Sequence, residues 1–368
     1  MIEEMKKLRI AFFVTSEMPF PIPKEYNRPF APLMIALDLA EELGKRGHEI
    51  VFFGPQGSKS SKYIQAHPTS LIPLYKNNAF ADVPLLDEGK ARIQLISDTY
   101  IIQELFRAHS QKPFDIIHIY SPASALPIAK NFLDTKIVYT LQNIIFPWER
   151  ASYLAFASPN HYFVNCSNNQ KTTAPDINSV ATIYNGVNTK LFQYSATHDD
   201  YLLFVGRTHP KKGLQEAIRV AQTLDKKLII IGSPITEIHW WNKEIKPFLG
   251  GKIEYLGYKE HKDLSQYFQK AEAFLMPILW EEPFGRVMVE AMSCGTPVVA
   301  FNRGAVSEIV KNGETGFIVE DVKGMIGAVK NINSIERKNC REWVEEKFDL
   351  NIITTEYENL FYKITQKN

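Results

Sequence analysis

Short apolar runs alternate with longer segments in which apolar residues recur every three or four positions, and this rhythm holds along most of the chain. The short runs predict buried strands and the amphipathic segments predict helices, a combination that builds parallel sheets covered by helices. In the first half, strands are expected at 9–14, 50–53, 116–119 and 137–141. A helix is expected over 31–47, where Leu33, Ile35, Ala36, Leu39, Ala40 and Leu43 fall largely on one side and Gly44 and Gly47 end it. The second half repeats the pattern, with strands at 201–205, 228–231, 253–256, 273–276 and 298–301 and helices at 214–224, 262–270, 285–293 and 322–331. The break falls in YNGVNTKLF, residues 184–192, where Asn185-Gly186 is a turn signal. Residues 335–365 predict two helices around 348–350 with no strand after them, and the last helix is expected to cross back onto the first half. The fold class is therefore α/β, with two doubly wound, Rossmann-like domains. The expected division is 1–184, 185–347 and a closing helix at 348–368.

Length and composition fit this picture. A chain of 368 residues favours two domains, and 45% hydrophobic with 23% charged residues is ordinary globular composition. Residues 1–184 carry 18 Lys and Arg against 17 Asp and Glu, and the remainder 24 against 24. Neither half is a basic face, which argues against a nucleic-acid partner. Cys166, Cys294 and Cys340 are far apart, without metal-ligand spacing, and read as idle thiols of a reducing compartment. The apolar run at 10–14 is too short for a signal segment, and no run approaches the roughly 18 residues that cross a bilayer. A cytoplasmic location is expected, with peripheral membrane contact left open.

Two stretches carry candidate chemistry. In FVGRTHPKKG, residues 204–213, a strand ends before Gly206, and Arg207 and Lys212 follow in a loop shaped by Pro210 and Gly213. Two cations converging at the C-terminal edge of a parallel sheet suit a diphosphate, because a departing nucleoside diphosphate gathers negative charge. In EEPFGRVMVEAMSCGTPVVA, residues 281–300, Glu282 and Glu290 stand either side of Gly285, which opens a helix. A helix start offers N–H groups to phosphate, and each acid can accept hydrogen bonds from a hydroxyl pair at one end of a sugar nucleotide. Glu281 reads as a solvated neighbour. Gly304 and Glu308 follow at the same sheet edge, Glu308 as a cap or positioning group. The Gly313…Gly316 turn reads as a hairpin-like connection.

These segments, with YNGVNTKLF and the run to Asp321, resemble the retaining glycosyltransferases of family 4, which have the GT-B fold; LAEELGKRGHEIVFFG and FDIIHIY in the first half are similar more weakly. The resemblance implies that Arg207 and Lys212 hold the donor diphosphate, with Gly206 letting the backbone come close. Glu282 would contact hydroxyls of the transferred sugar and Glu290 the nucleotide ribose. Amides of Phe284, Gly285, Arg286 and Val287 would contact sugar and phosphates, and the base would lie near Gly257 and Tyr258. No metal or cofactor is expected, the nucleoside diphosphate sugar being a co-substrate. The implied activity is retaining transfer of a hexose, UDP-glucose being the preferred donor by family frequency, to a sugar, lipid-linked or small-molecule acceptor.

The chain also departs from that family. Where members often carry a glycine pair in the first loop, the matching positions are Phe30 and Ala31, in a stretch stiffened by Pro19, Pro21, Pro23, Pro29 and Pro32. Where they commonly have a histidine after the strand at 137–141, Gln142 stands, followed by Asn143. Glutamine can position a sugar hydroxyl but cannot take a proton. The retaining mechanism proposed for the family gives that proton to a donor phosphate oxygen, so Gln142 is tolerable. His118, at a strand end expected to face the cleft, Asn143 and Trp148 are the acceptor-side candidates. Trp240 and Trp241 are expected to pack on the second domain's surface. The rival readings are a nucleotide-sugar hydrolase or epimerase on the same scaffold, and a sugar-nucleotide-binding protein impaired in catalysis.

Overall fold

Strands in the computed structural model, which describes residues 6–26, 30–76, 87–232 and 237–366, form two parallel sheets. Pro29, counted above in the first loop, lies outside the described residues. The first sheet comprises β1 (Arg9–Phe13), β2 (Glu49–Gly54), β3 (Gln65–Pro68), β4 (Ile116–Ile119), β5 (Ile137–Leu141), β6 (His161–Asn165) and β7 (Ser179–Thr182). Their spatial order is β3-β2-β1-β4-β5-β6-β7. Its helices are α1 (Ala31–Lys45), α2 (Asp87–Gln111), α3 (Pro122–Ala129), α4 (Pro147–Ala155) and α5 (Asn168–Thr172).

The second sheet comprises β8 (Tyr201–Gly206), β9 (Lys227–Gly232), β10 (Ile253–Tyr255), β11 (Ala273–Met276), β12 (Val298–Phe301) and β13 (Gly316–Val319), in the order β10-β9-β8-β11-β12-β13. With it go α6 (Leu214–Thr223), α7 (Ile238–Glu244), α8 (Leu264–Lys270), α9 (Arg286–Ser293), α10 (Val306–Ile309), α11 (Val322–Lys330) and α12 (Arg337–Lys347). The chain closes with α13 (Leu350–Thr365). No described helix is long and apolar enough to cross a membrane.

Each central strand reads as a continuous apolar run because both of its faces are covered. In β1, Ile10 and Phe12 join the core shared with α1 and α13, while Ala11 and Phe13 join the opposite core with α2 and α3. The predicted stripe of α1 is the face it buries: Leu33, Ile35, Ala36, Leu39, Ala40 and Leu43 are all buried. Burying such an aliphatic side chain contributes about 1.5–3 kcal/mol, so the stripe holds α1 to the sheet without help from local propensity.

The last helix does cross back. Ile353, Tyr357, Leu360, Phe361 and Ile364 of α13 are buried in the first domain's core. Glu358 accepts hydrogen bonds from Arg46 Nη1 and from His48 Nε2, both at 2.8 Å. His48 Nδ1 accepts from the Leu8 amide, which leaves the ring proton on Nε2 facing Glu358. The connecting segment and the start of α13 run together here, since Val187 exchanges backbone hydrogen bonds with Phe348 and Leu350.

Several elements differ from the sequence reading. The 313–316 turn is not part of a hairpin: it leads into β13, which pairs with β12 in parallel. Trp241 is buried against Tyr255 instead of lying on the surface. β3 and β7 are edge strands whose residues are exposed or half-buried, so they carry no apolar run to read.

Candidate functional site

The strand ends that lead into the two candidate stretches all open on one cleft of about 580 Å³. From the second domain it is lined by Gly206, Arg207, Lys212, Tyr258, Glu282, Phe284, Gly285, Arg286, Val287 and Glu290. From the first domain come Glu17, Phe30, Ala31, Gln94, Gln142 and Asn143. The donor-side residues singled out in the sequence are therefore gathered in one place.

Backbone geometry sets the cation loop. Gly206 ends β8, and Pro210–Lys212 form a single helical turn capped by His209. Gly213 follows at φ +74°, where a Cβ would sit 1.8 Å from the Pro277 carbonyl oxygen. Only glycine suits both the left-handed backbone and this approach, which presses Lys212 against the segment after β11. There Lys212 Nζ lies 2.5 Å from Glu282 Oε2, and the same oxygen accepts from Trp280 Nε1 at 3.0 Å. Lys212 Nζ also stands 5.1 Å from the centre of the Trp280 ring, within cation–π range.

Glu282 is held from behind as well. The amide of Ala305 donates to its carbonyl oxygen at 2.9 Å, and the amide of Gly304 donates to Glu281 Oε2 at 2.7 Å. Gly304 has φ +60°, and a Cβ there would lie 2.2 Å from the Glu282 carbonyl oxygen. The glycine after β12 thus packs closely behind the acid, and Glu281 is a brace despite its exposure. Glu308 caps a helix of the other domain: its carboxylate accepts from the amides of Asn168 and Asn169 at 2.8 and 2.7 Å, and from Tyr184 Oη at 3.0 Å.

Glu290 lies on α9 and is 2% exposed. His261 Nε2 stands 2.6 Å from its Oε1, and Arg286 Nε stands 3.1 Å from the same oxygen. Burial alone would raise the Glu290 pKa, but the charges and hydrogen bond of His261 and Arg286 outweigh it and hold the carboxyl below its usual range. The acid is therefore ionised and able to accept from hydroxyl groups. Arg286 also reaches the first domain, donating from Nη2 to Asp38 Oδ2 on α1 at 2.8 Å.

On the first-domain side, Gln142 and Asn185 form a reciprocal amide pair, each donating to the other at 2.9 Å. Asn143 lines the cleft beside them. Phe30 is the residue before α1 and makes no side-chain cap, and both Phe30 and Ala31 line the cleft.

Two acceptor-side candidates lie outside the cleft wall, and for His118 the expectation that it faces the cleft is corrected. His118 is 0% exposed and is not in the cleft wall. It lies among Phe12, Tyr120, Tyr357 and Phe361, with Nε2 2.7 Å from Thr140 Oγ1, and burial pushes its pKa down to about 3. It is a neutral core residue. Trp148 is 64% exposed on α4, stacked on Phe146 and outside the cleft lining. As site residues, Trp280, His261, Asn185 and Asp38 escaped the sequence reading, Asn185 being read only as part of a turn; Trp280, two residues before Glu282, had a local signal.

The family model described as glycosyltransferase family 4 matches residues 34–191, and that described as glycosyl transferases group 1 matches residues 189–348. Together they span both domains, and the chain belongs to the GT-B glycosyltransferases of family 4. A phosphatidyl-myo-inositol mannosyltransferase from Mycolicibacterium smegmatis is 25% identical over 336 residues, covering 84% of this chain and 83% of that protein. Among solved structures, a sucrose-phosphate synthase from Thermosynechococcus elongatus superposes with a TM-score of 0.80 at 18% identity, covering 98% of this chain and 100% of the other. The Anabaena protein HepE, solved in complex with UDP-glucose, gives 0.71 at 17% identity, covering 97% and 100%. These last two likenesses are of fold.

Proposed function

We propose that this glycosyltransferase moves a hexose, with retention at the anomeric carbon, from a nucleoside diphosphate sugar to a hydroxyl of its acceptor. The reading rests on one observation above all: Arg207, Lys212, Glu282 and Glu290 line a single cleft opposite the Gln142 amide. Arg207 and Lys212 would take the diphosphate, with the N–H groups at the start of α9 adding partial positive charge to the departing phosphate. In this reading they do the work for which other transferases use a metal ion. Glu282 would accept from hydroxyls of the transferred sugar, Glu290 from the ribose, and Tyr258 would border the base. A donor phosphate oxygen would receive the acceptor's proton on the face where the new bond forms, leaving Gln142 to orient hydroxyls. UDP-glucose is the preferred donor, a choice supported by family frequency and by the UDP-glucose complex of HepE.

The test is incubation of the chain with UDP-, GDP- and ADP-glucose, with and without a panel of glycoside and lipid-linked acceptors, followed by product mass and the anomeric coupling constant. A glycoside formed only with acceptor, of unchanged anomeric configuration, supports the reading. Free sugar formed regardless of acceptor would make it a hydrolase. The locked Gln142–Asn185 pair favours a second reading, a sugar-nucleotide-binding protein without turnover, which would bind nucleotide and yield no product.

A further inference from the structure

Two carboxylates from different domains share one buried guanidinium. Arg286, with its side chain 8% exposed, donates from Nη2 to Asp38 Oδ2 at 2.8 Å. Its Nε is 3.1 Å from Glu290 Oε1 yet makes no hydrogen bond there, because the two are close without being aligned. His261 approaches that same Oε1 at 2.6 Å. The protein's contacts to Glu290 therefore converge on Oε1. Asp38 is 248 residues away in sequence and does not line the cleft.

We propose that Asp38 is a positioning residue for the donor nucleotide: by holding Arg286 turned toward the first domain, it keeps Glu290 Oε2 available to ligand hydroxyls. This rests on the ribose role given to Glu290 above. The physical argument is a competition. A guanidinium and a carboxylate prefer two parallel hydrogen bonds, and a buried guanidinium deprived of one partner turns to the next. Without the Asp38 charge, Arg286 swings into a paired grip on both oxygens of Glu290. The ribose then competes with a cation already seated, and nucleotide binding weakens although no residue of the cleft wall has changed.

The experiment is calorimetric titration of the full chain with UDP, GDP and ADP, in the wild type, Asp38→Asn, Glu290→Gln and the double variant, with the thermal midpoint of each recorded. Asp38→Asn is expected to raise the dissociation constant of the preferred nucleotide about tenfold, the equivalent of one charged hydrogen bond. In the Glu290→Gln background the same change is expected to have no further effect, because Asp38 acts through Glu290. A loss that adds fully to that of Glu290→Gln would mark Asp38 as a mere structural prop and overturn the proposal, as would an unchanged dissociation constant in Asp38→Asn. Asp38→Glu, which keeps the charge, is expected to recover most of the affinity. If the wild type binds none of the three nucleotides, the donor reading itself falls, an outcome distinct from binding that is indifferent to Asp38.

Discussion

Lys212 donates to Glu282 at 2.5 Å, pairing the cation assigned to the diphosphate with the acid assigned to the sugar. Each thus orients the other before chemistry begins, and Trp280 supplies Glu282 with a second, neutral donor at 3.0 Å. In the proposed reading Lys212 would turn to phosphate, and the indole N–H would then keep the carboxylate in place.

Removing either cation should be costly. Arg207→Ala and Lys212→Ala are each expected to lower kcat about a hundredfold or more, as loss of a preorganised donor to developing negative charge does elsewhere. Steady-state kinetics with the preferred donor checks this, and unchanged turnover in both variants would remove the diphosphate role.

The two acids should separate cleanly. Glu290→Gln is expected to weaken binding of the bare nucleoside diphosphate, read by calorimetry, because the proposal gives the buried acid to the ribose. Glu282→Gln and Trp280→Phe are expected to spare that affinity and lower transfer. Identical behaviour of the two glutamine variants would show that sugar and ribose ends are misassigned.

Asp98 on α2 should make stability depend on pH. It is 3% exposed and accepts from the Ser16 amide at 2.7 Å and Ser121 Oγ at 3.1 Å. Burial raises its pKa from 3.8 to about 6, the hydrogen bonds opposing only in part. A carboxyl with a raised folded pKa contributes its full stability below pH 3.8 and loses it as pH climbs through 6, by about 3 kcal/mol at most. Asp98→Asn should therefore gain on the wild type between pH 4 and 7 in thermal midpoint, and a difference constant across that range would contradict it.

Phe361 tests the crossing helix. It is 0% exposed in the first domain's core, so Phe361→Ala is expected to cost about 3–5 kcal/mol in denaturant unfolding. A loss below 1 kcal/mol would mean that α13 contributes little to holding the first domain.

Much was legible in the chain because it is local. The apolar runs of β1, β5 and β8 report strands buried on both faces, and the 3.6-residue stripe reports α1. The loop carrying Arg207 and Lys212, and the seven residues between Glu282 and Glu290, lie within single strand–loop–helix units, so short-range geometry placed them together. α2 and α3 were missed although they are regular helices. α3 is only eight residues long, buries Pro122, Ser124, Ala125, Leu126 and Ala129, and carries Pro127 inside it, while α2 follows a stretch without clear pattern, so neither shows a clean stripe.

By itself the sequence determined the two parallel α/β units and which strand ends bear the cations and acids, since periodicity and turn chemistry act over a few residues. The tertiary structure alone decided what those groups touch. His118 pairs in register with Phe12, and because side chains alternate along a strand it points to the face that α13 covers, away from the cleft. Gln142 meets Asn185, His261 meets Glu290, and Asp38 meets Arg286, across 43, 29 and 248 residues. Contacts at such separations depend on sheet order and on how the two domains face each other, and no local pattern encodes either.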